Sequence, residues 1–119
     1  MSNLNAEEYI SFEGIKHIRK NGIEFWNARE LAKVLDYTEW RNFQKVVDRA
    51  ILACKNSGFN VLDHFVEVNK MVLIGSEGTR EISDLALSRY ACYLIAQNGD
   101  SRKEPIAFAQ TYFAIQTRK

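Results

Sequence analysis

The chain has few of the residues that cross-link, stiffen or break a protein backbone. Its 119 residues include one proline, two cysteines and two histidines, and its six glycines are scattered at turns. Scattered glycines exclude a glycine-rich phosphate-binding loop. The sequence has no apolar run of about 18 residues that would span a membrane, and no signal peptide. It therefore predicts neither a P-loop nucleotide-binding protein nor a membrane-spanning one.

The cysteines and histidines do not indicate a metal or catalytic site. Cys54 and Cys92 both lie in apolar helical contexts without a CxxC motif, which predicts reduced thiols in a cytoplasmic protein. His17 and His64 have no nucleophile or metal-ligand pattern beside them. We interpret both as surface or hydrogen-bonded histidines.

Four acidic residues leave one enzymatic alternative open. A metal-dependent nuclease could use the carboxylates of Asp63, Glu67, Glu81 and Asp84. Nothing in their spacing requires that arrangement. We therefore predict a non-enzymatic protein with no cofactor and no metal.

Composition and charge are typical of one globular domain over residues 1–119. The chain is 46% hydrophobic and 26% charged, and it is long enough to bury a core without metal or disulfide cross-links. Residues 1–8 are polar and are predicted to form a disordered leader. The net charge of +1 conceals a basic segment, because residues 15–49 carry eight basic and five acidic side chains. That excess is small for a dedicated nucleic-acid-binding segment.

The apolar C-terminal third predicts two packed helices. The first is expected at 84–97, capped by Ser83 and ended by a left-handed Gly99. The second is expected at 103–118, with Pro105 in its first turn, where the missing amide hydrogen costs little. Apolar residues around most of the first helix indicate that this pair forms the core.

Three aromatic residues of the second of these helices allow two interpretations. They are Phe108, Tyr112 and Phe113. Burial preferences favour a packed core. The alternative is a partner interface, through which the chain forms a homo-oligomer or holds another protein.

The N-terminal half predicts a β-hairpin followed by a helix. Asn21-Gly22 separates two alternating segments within residues 15–26, which is the strongest local signal for a hairpin. A short strand is expected before it, at 9–12. Asn27 begins a capping-box pattern that opens the helix.

The middle of the chain predicts three short strands, at 64–68, 71–74 and 79–82. Together with the hairpin and the helices, they predict an α+β fold. Its parts are a small antiparallel sheet with the β-hairpin, a helix-turn-helix-like pair and the two C-terminal core helices.

The helix-turn-helix-like pair is the candidate for nucleic-acid binding. A tight turn at 36–38 leads into a helix at 39–55, capped by Thr38. In such a unit the second helix can lie in the major groove of DNA. Arginine and asparagine suit base edges, and lysine and arginine suit phosphates; an ordinary solvated helix face is the alternative. The candidate residues are Arg41, Asn42, Lys45 and Arg49 on this helix and Lys16, Arg19 and Lys20 in the hairpin.

Two further residues stand out. Trp40 lies at the edge of the apolar stripe of the second helix, where it is a core or rim residue, or alternatively a base-stacking residue. Arg89 lies in an otherwise apolar helix, so a carboxylate such as that of Glu81 or Asp63 is expected to pair with it.

Residues 87–119 carry a family resemblance. Their sequence, LSRYACYLIAQNGDSRKEPIAFAQTYFAIQTRK, closely resembles the N-terminal region of the bacterial DNA-damage-inducible protein D family. That region resembles a Bro-N domain, the module of baculovirus repeat proteins and phage antirepressors. The resemblance extends over residues 14–119, and Pro105 departs from the family's residues there. Family members are longer, so the chain is expected to be their N-terminal domain, either as the N-terminal part of a longer protein or as a short homologue.

The resemblance implies a regulatory function in the SOS response to DNA damage. It implies a domain that binds DNA, single-stranded or duplex, or modulates the RecA recombinase, in the cytoplasm near the nucleoid. The alternative is an antirepressor or protein-interaction module that dimerises or binds a partner through its aromatic C-terminal helices.

Overall fold

The computed structural model describes the backbone of residues 11–117 and the side chains of residues 11–114. The leader predicted at residues 1–8 lies outside the described residues. The order of the elements confirms the predicted α+β fold. The strands are β1 (Lys16–Ile18), β2 (Glu24–Asn27), β3 (Phe65–Leu73) and β4 (Thr79–Leu87). The helices are α1 (Ala28–Val34), α2 (Trp40–Asn56), α3 (Arg89–Gln97) and α4 (Glu104–Thr117), with a 3-10 turn at Val61–Asp63.

The strands form one antiparallel sheet in the order β1-β2-β4-β3. One row of paired residues crosses it through Trp26, Leu87 and Phe65. All three side chains are buried, and α3 contacts both β2 and β4 while packing against α2 and α4. This side of the sheet therefore carries the core. Within residues 11–117, no helix is both long enough and apolar enough to cross a membrane.

The hairpin predicted at residues 15–26 is confirmed. His17 of β1 pairs with Phe25 of β2. Gly22 in the connecting loop has a φ of 87°, and its amide donates to the Arg19 carbonyl at 2.8 Å. The turn thus uses the left-handed conformation that glycine adopts without steric cost.

The second half of the sheet differs from the prediction. The strands expected at 64–68 and 71–74 are one continuous strand, β3, and the strand expected at 79–82 is part of the longer β4. Asn69 and Lys70, the two polar residues between the first two segments, lie on the outer part of the hairpin and are not buried. We call residues 69–83 the β3–β4 arm, because none of them is buried. A strand outside the core tolerates polar residues that would interrupt a buried one.

The predicted start of the first C-terminal helix is wrong. Residues 83–87 are the inner end of β4, because they pair with β3 and, at the last positions, with β2. Their apolar spacing fits a helix or a strand equally, and the pairing decides. Ser88, not Ser83, is the N-cap of α3, and its hydroxyl accepts a hydrogen bond from the Ala91 amide at 3.0 Å.

The strand predicted at 9–12 is wrong where the structure describes it. Residues 11–14 are helical. Phe12 is fully buried, and its carbonyl accepts a hydrogen bond from Nε1 of Trp26 at 3.0 Å. Four residues make about one helical turn, so the spacing of their apolar side chains does not distinguish a helix from a strand. Residues 9 and 10 lie outside the described part.

In the connection between α3 and α4, the predicted role of Pro105 is confirmed, but that of Gly99 is wrong. Pro105 is the second residue of α4, as predicted. Gly99 does not adopt a positive φ. A Cβ atom at Gly99 would instead lie 3.0 Å from Cγ2 of Ile106. The glycine therefore allows α4 to approach closely, and does not terminate α3 by a left-handed turn.

The aromatic residues of α4 belong to the core. Tyr112 and Phe113 are 1% and 0% exposed. The ring centroid of Phe12 lies 5.1 Å from that of Tyr112, and the centroid of Trp26 lies 5.3 Å from that of Phe113. The predicted partner interface therefore needs correction, because neither side chain is available to another molecule and only Phe108 is partly exposed.

Candidate nucleic-acid interface

The turn between α1 and α2 closes with a Schellman motif. The amide of Tyr37 donates to the Ala32 carbonyl at 2.9 Å, and the amide of Asp36 donates to the Lys33 carbonyl at 3.1 Å. Asp36 is left-handed, with a φ of 69°. These bonds satisfy carbonyls at the end of α1 and determine the direction in which the chain enters α2.

A carboxylate from β4 anchors the start of α1 to the sheet. Asn27 is the N-cap residue, as predicted, but its side chain bonds Oε1 of Glu30 at 3.2 Å instead of a free amide. Oδ1 of Asp84 accepts the hydrogen bond from the Arg29 amide at 3.1 Å. Nζ of Lys70 lies 3.0 Å from Oδ2 of the same, fully buried, carboxylate. The capping contact thus comes from 55 positions away, where sequence spacing carries no signal.

Helix α2 closely matches the predicted segment 39–55. Glu39 is its N-cap residue, without a side-chain cap bond, so the predicted Thr38 cap is wrong. After the Schellman turn, the N-cap of α2 lies one residue later than predicted. The buried residues of its apolar stripe are Phe43, Val46, Val47, Ala50 and Cys54, which are spaced as one face of a helix.

The four residues predicted on α2 all lie on its outer side, away from the buried stripe. Arg41, Asn42, Lys45 and Arg49 are exposed. Nη2 of Arg41 lies 3.6 Å from Oε1 of Glu39, but the two side chains are 81% and 61% exposed. An exposed ion pair of this kind contributes little to stability. Arg41 can therefore leave Glu39 and bind a ligand instead.

A cleft of about 320 Å³ adjoins this outer side of α2. Asn42 and Arg49 line it from α2, and Lys103 lines it from the segment before α4. Nζ of Lys103 lies 5.3 Å from the ring centroid of Tyr37, which also lines the cleft. The fold therefore brings a second cation, which the α2 sequence alone does not show, to the candidate surface.

The acidic residues of this cleft only partly offset its cations. Asp100 accepts a hydrogen bond from Nη2 of Arg102 at 3.0 Å, and its bonds to Arg102 lower the pKa of Asp100 to about 2. With Asp100 compensated by Arg102, Arg49 and Lys103 face one further acid, Asp36. The cleft is suited to an anion more than to a cation.

The three hairpin cations are placed apart from α2. Nζ of Lys16 lies 2.9 Å from Glu13 and 3.8 Å from Glu24, so its charge is already compensated. Arg19 and Lys20 are exposed. The groove that Arg19 lines shares no residue with the α2 cleft. The structure therefore does not bring the two predicted groups of cations into one site.

Arg89 has the structural role expected of it, with a different partner. Its Nε and Nη2 donate to the two carboxylate oxygens of Glu24 at 2.5 and 2.7 Å, instead of to Glu81 or Asp63. Its guanidinium carbon lies 4.9 Å from the ring centroid of Trp26. Burial acts to lower the pKa of Arg89, but the bonds to Glu24 outweigh it and the pKa is raised.

The histidines are hydrogen-bonded, as predicted. Nε2 of His17 lies 2.7 Å from Oε1 of Glu30, and Nδ1 of His64 lies 2.7 Å from Oγ of Ser88. Both cysteines are buried and free. In the part of the chain that the structure describes, no group of three or more His, Cys, Asp and Glu side chains is arranged to hold a metal ion.

One exposed surface was not predicted. On the β3–β4 arm, Met71, Leu73 and Ile74 are 64%, 81% and 45% exposed. β3 is also an edge strand, with β4 as its neighbour in the sheet. The apolar sequence of these residues looks the same for a buried strand and for an exposed one, so only the structure separates the two.

Comparison with known proteins places the chain in a family. It is 55% identical over 113 residues to DNA damage-inducible protein D of Escherichia coli strain K12. The match covers 95% of the chain and 41% of that protein, so the chain spans about two fifths of the relative's length. No solved structure matches significantly. The family description "BRO family, N-terminal domain" (Bro-N) matches residues 14–114, and the chain therefore belongs to the BRO family, as the sequence resemblance predicted.

Proposed function

We propose that this chain is a non-catalytic regulatory domain of a DNA-damage response, and that it binds DNA through the outer side of α2. The observation that carries the proposal is the exposure of all four polar residues there, Arg41, Asn42, Lys45 and Arg49. They follow a hydrogen-bonded turn in a two-helix unit. In helix-turn-helix proteins the second helix of such a unit enters the major groove.

The residues divide into two roles. Arg41 and Asn42 lie in the first turn of α2, where side chains of a recognition helix reach base edges. Lys45 and Arg49 follow one and two turns later, where cations meet phosphates and hold the register. Lys103 adds a phosphate contact from across the cleft.

The biological setting rests on the relative. The E. coli protein is named DNA damage-inducible, and we propose SOS-type regulation by damage for this chain as well. Because the chain spans 41% of that protein, modulation of the RecA recombinase is proposed for the longer protein, and DNA contact for this domain. Such contact would place the domain at the nucleoid.

Fluorescence anisotropy with labelled single-stranded and duplex DNA, from low to physiological salt, tests the DNA contact. Affinity is expected to fall steeply with salt, with a logarithmic slope of about 0.9 for each duplex phosphate that the protein neutralises. Absence of binding to either DNA at low salt would overturn the proposal.

A matched pair of charge reversals locates the surface. Lys45→Glu combined with Arg49→Glu is expected to weaken binding by roughly tenfold or more, because two phosphate contacts become repulsive. Lys55→Glu combined with Arg80→Glu is the control: it changes net charge equally at exposed positions at the other end of α2 and on the β3–β4 arm. Equal losses in the two variants would contradict a site on α2.

A protein-interaction function is the second candidate, and the exposed β3–β4 arm favours it. An apolar edge strand can accept a strand from another chain. Such a surface could serve an antirepressor-like contact, a second copy of this chain or the recombinase. Analytical ultracentrifugation tests the second copy: self-association abolished by Met71→Ser with Leu73→Ser would support it. A monomer at high concentration would exclude it.

A further inference from the structure

A second pocket lies on the α1 side of the α1–α2 turn. Its volume is about 330 Å³. Tyr37 and Trp40 supply two aromatic side chains to its lining, Arg29 and Lys33 supply two cations, and Ile82 of the β3–β4 arm closes one wall. DNA contact through the outer side of α2 uses none of these residues.

Arg29 is fixed before any ligand arrives. Its Nε donates to the Ser83 carbonyl at 2.7 Å, and its amide donates to Asp84 at 3.1 Å. Its guanidinium carbon lies 4.4 Å from the ring centroid of Trp40. The guanidinium thus covers one face of the Trp40 ring, and the pair is a preformed cation–π surface against which a nucleobase can pack. Because both groups are already ordered, little conformational entropy remains to be lost on binding.

The pocket and the α2 cleft adjoin each other. Tyr37 and Thr38 line both of them. Lys33 is on the pocket side, while Arg49 and Lys103 are on the cleft side. Aromatic rings and cations therefore both line the surface on the two sides of the α1–α2 turn. A single nucleic-acid strand presents the two groups that such a surface binds, bases and phosphates.

We infer that the pocket receives an unstacked base of a single nucleic-acid strand, with the strand's backbone held by Lys33 on one side and by Arg49 and Lys103 on the other. The inference rests on the DNA contact proposed for α2, and it adds that the bound nucleic acid is single-stranded. In a duplex the base faces are stacked on one another and cannot reach Trp40. The domain therefore prefers single strands.

The two tryptophans make the pocket directly observable. The chain has two, of which Trp26 is fully buried and Trp40 lines the pocket. Titration with oligo(dT) is expected to quench tryptophan emission, because a base packs against the Arg29–Trp40 pair. Trp40→Phe should abolish the quenching, and a duplex of equal length should produce little of it.

Two substitutions measure the contribution to affinity. Trp40→Leu and Lys33→Ala are each expected to weaken oligo(dT) binding, the first by about tenfold, with a smaller effect on duplex binding. Tyr93→Leu, a half-buried aromatic of α3 outside the pocket, is the control. Trp40 packs on Phe43, so thermal melts accompany the Trp40 variants. Lys33 is exposed, and its substitution leaves the core untouched.

The outcomes separate this inference from the function on which it rests. If oligo(dT) binds without quenching the emission of Trp40, and binds Lys33→Ala with unchanged affinity, the base site in the pocket is overturned. The proposed DNA contact of α2 would then still stand. Equal weakening of single-strand and duplex binding in folded Trp40→Leu would also overturn a base site. Absence of binding to any DNA would overturn both proposals.

Discussion

The amide of Arg29 on α1 donates a hydrogen bond to Oδ1 of Asp84 on β4, a carboxylate whose side chain is fully buried. This bond joins the candidate DNA-binding unit to the central strands of the sheet. A negative charge in the first turn of a helix is also favoured by the helix dipole. Lys70 on β3 compensates the same carboxylate from the other side, at 3.0 Å.

Asp84→Ala is expected to lower the free energy of unfolding by about 3 kcal/mol, because the Arg29 amide loses its acceptor and Lys70 loses its partner. Asp84→Asn keeps an acceptor oxygen and should lose less. Urea unfolding measures both. Asp48→Ala, at an exposed carboxylate of α2, is the control and should change stability by about 0.5 kcal/mol or less. Similar losses at the two positions would argue against the anchor.

Asp36→Gly is expected to raise the free energy of unfolding by about 0.5–1 kcal/mol, because glycine adopts the left-handed conformation without the cost that a Cβ imposes. Urea unfolding measures this effect. Asp36→Asn separates charge from conformation, since asparagine tolerates this conformation. Asp36→Asn should also tighten DNA binding, because it removes a negative charge that faces Arg49 and Lys103. A less stable glycine variant would show that the carboxylate itself supports the turn.

Arg89→Met is expected to lower the free energy of unfolding by about 2 kcal/mol, since the Glu24 carboxylate loses both hydrogen bonds from Arg89 and keeps only Lys16, 3.8 Å away. The estimate is below that for a fully buried pair because the Glu24 side chain is 32% exposed. A double-mutant cycle with Glu24→Gln should give a coupling of about 1–2 kcal/mol. Additive effects of the two substitutions would contradict a direct interaction.

The bond from the Tyr112 hydroxyl to Oε2 of Glu13 makes stability depend on pH at both extremes. Burial and this bond raise the pKa of Tyr112 above 10.0. Burial opposes the change at Glu13, but the bonds to Tyr112 and Lys16 lower its pKa below 4.5. The Tyr112 contribution is complete below pH 10.0 and is lost as the pH rises beyond it. The Glu13 contribution is present above pH 4.5 and is lost as the pH falls.

Tyr112→Phe is therefore expected to flatten the alkaline loss of stability while lowering stability at neutral pH. Urea midpoints measured from neutral to strongly alkaline pH check this expectation. Tyr93→Phe, on α3 outside this network, is the control and should retain the slope. An alkaline slope that persists unchanged in Tyr112→Phe would assign the titration to another group.

Features with short-range causes could be predicted from the sequence. Asn21-Gly22 specifies its turn through two neighbouring residues, and the buried stripe of α2 repeats within one helix. The exposed positions of α2 followed from the same periodicity. The family resemblance, carried by a long run of residues, gave the functional setting that these local patterns could not supply.

Features that depend on distant partners could not be predicted. Asp84 caps α1 and Glu24 pairs with Arg89 only because the sheet order brings β2 beside β4. The pocket at Trp40 likewise needs Ile82 from the β3–β4 arm. No spacing along the chain encodes these contacts, so the sequence showed the candidate residues of α2 but not the cleft and the pocket around them.

The contact between the two ends of the described chain has a consequence for its synthesis. Glu13 and Tyr112 are 99 positions apart, and Phe12 stacks on the same tyrosine ring. A chain leaving the ribosome exposes Phe12 and Trp26 until α4 has emerged to cover them. The domain therefore completes its folding only after nearly its whole length has been translated. Nascent chains that end before α4 therefore expose these aromatic side chains to chaperones and proteases.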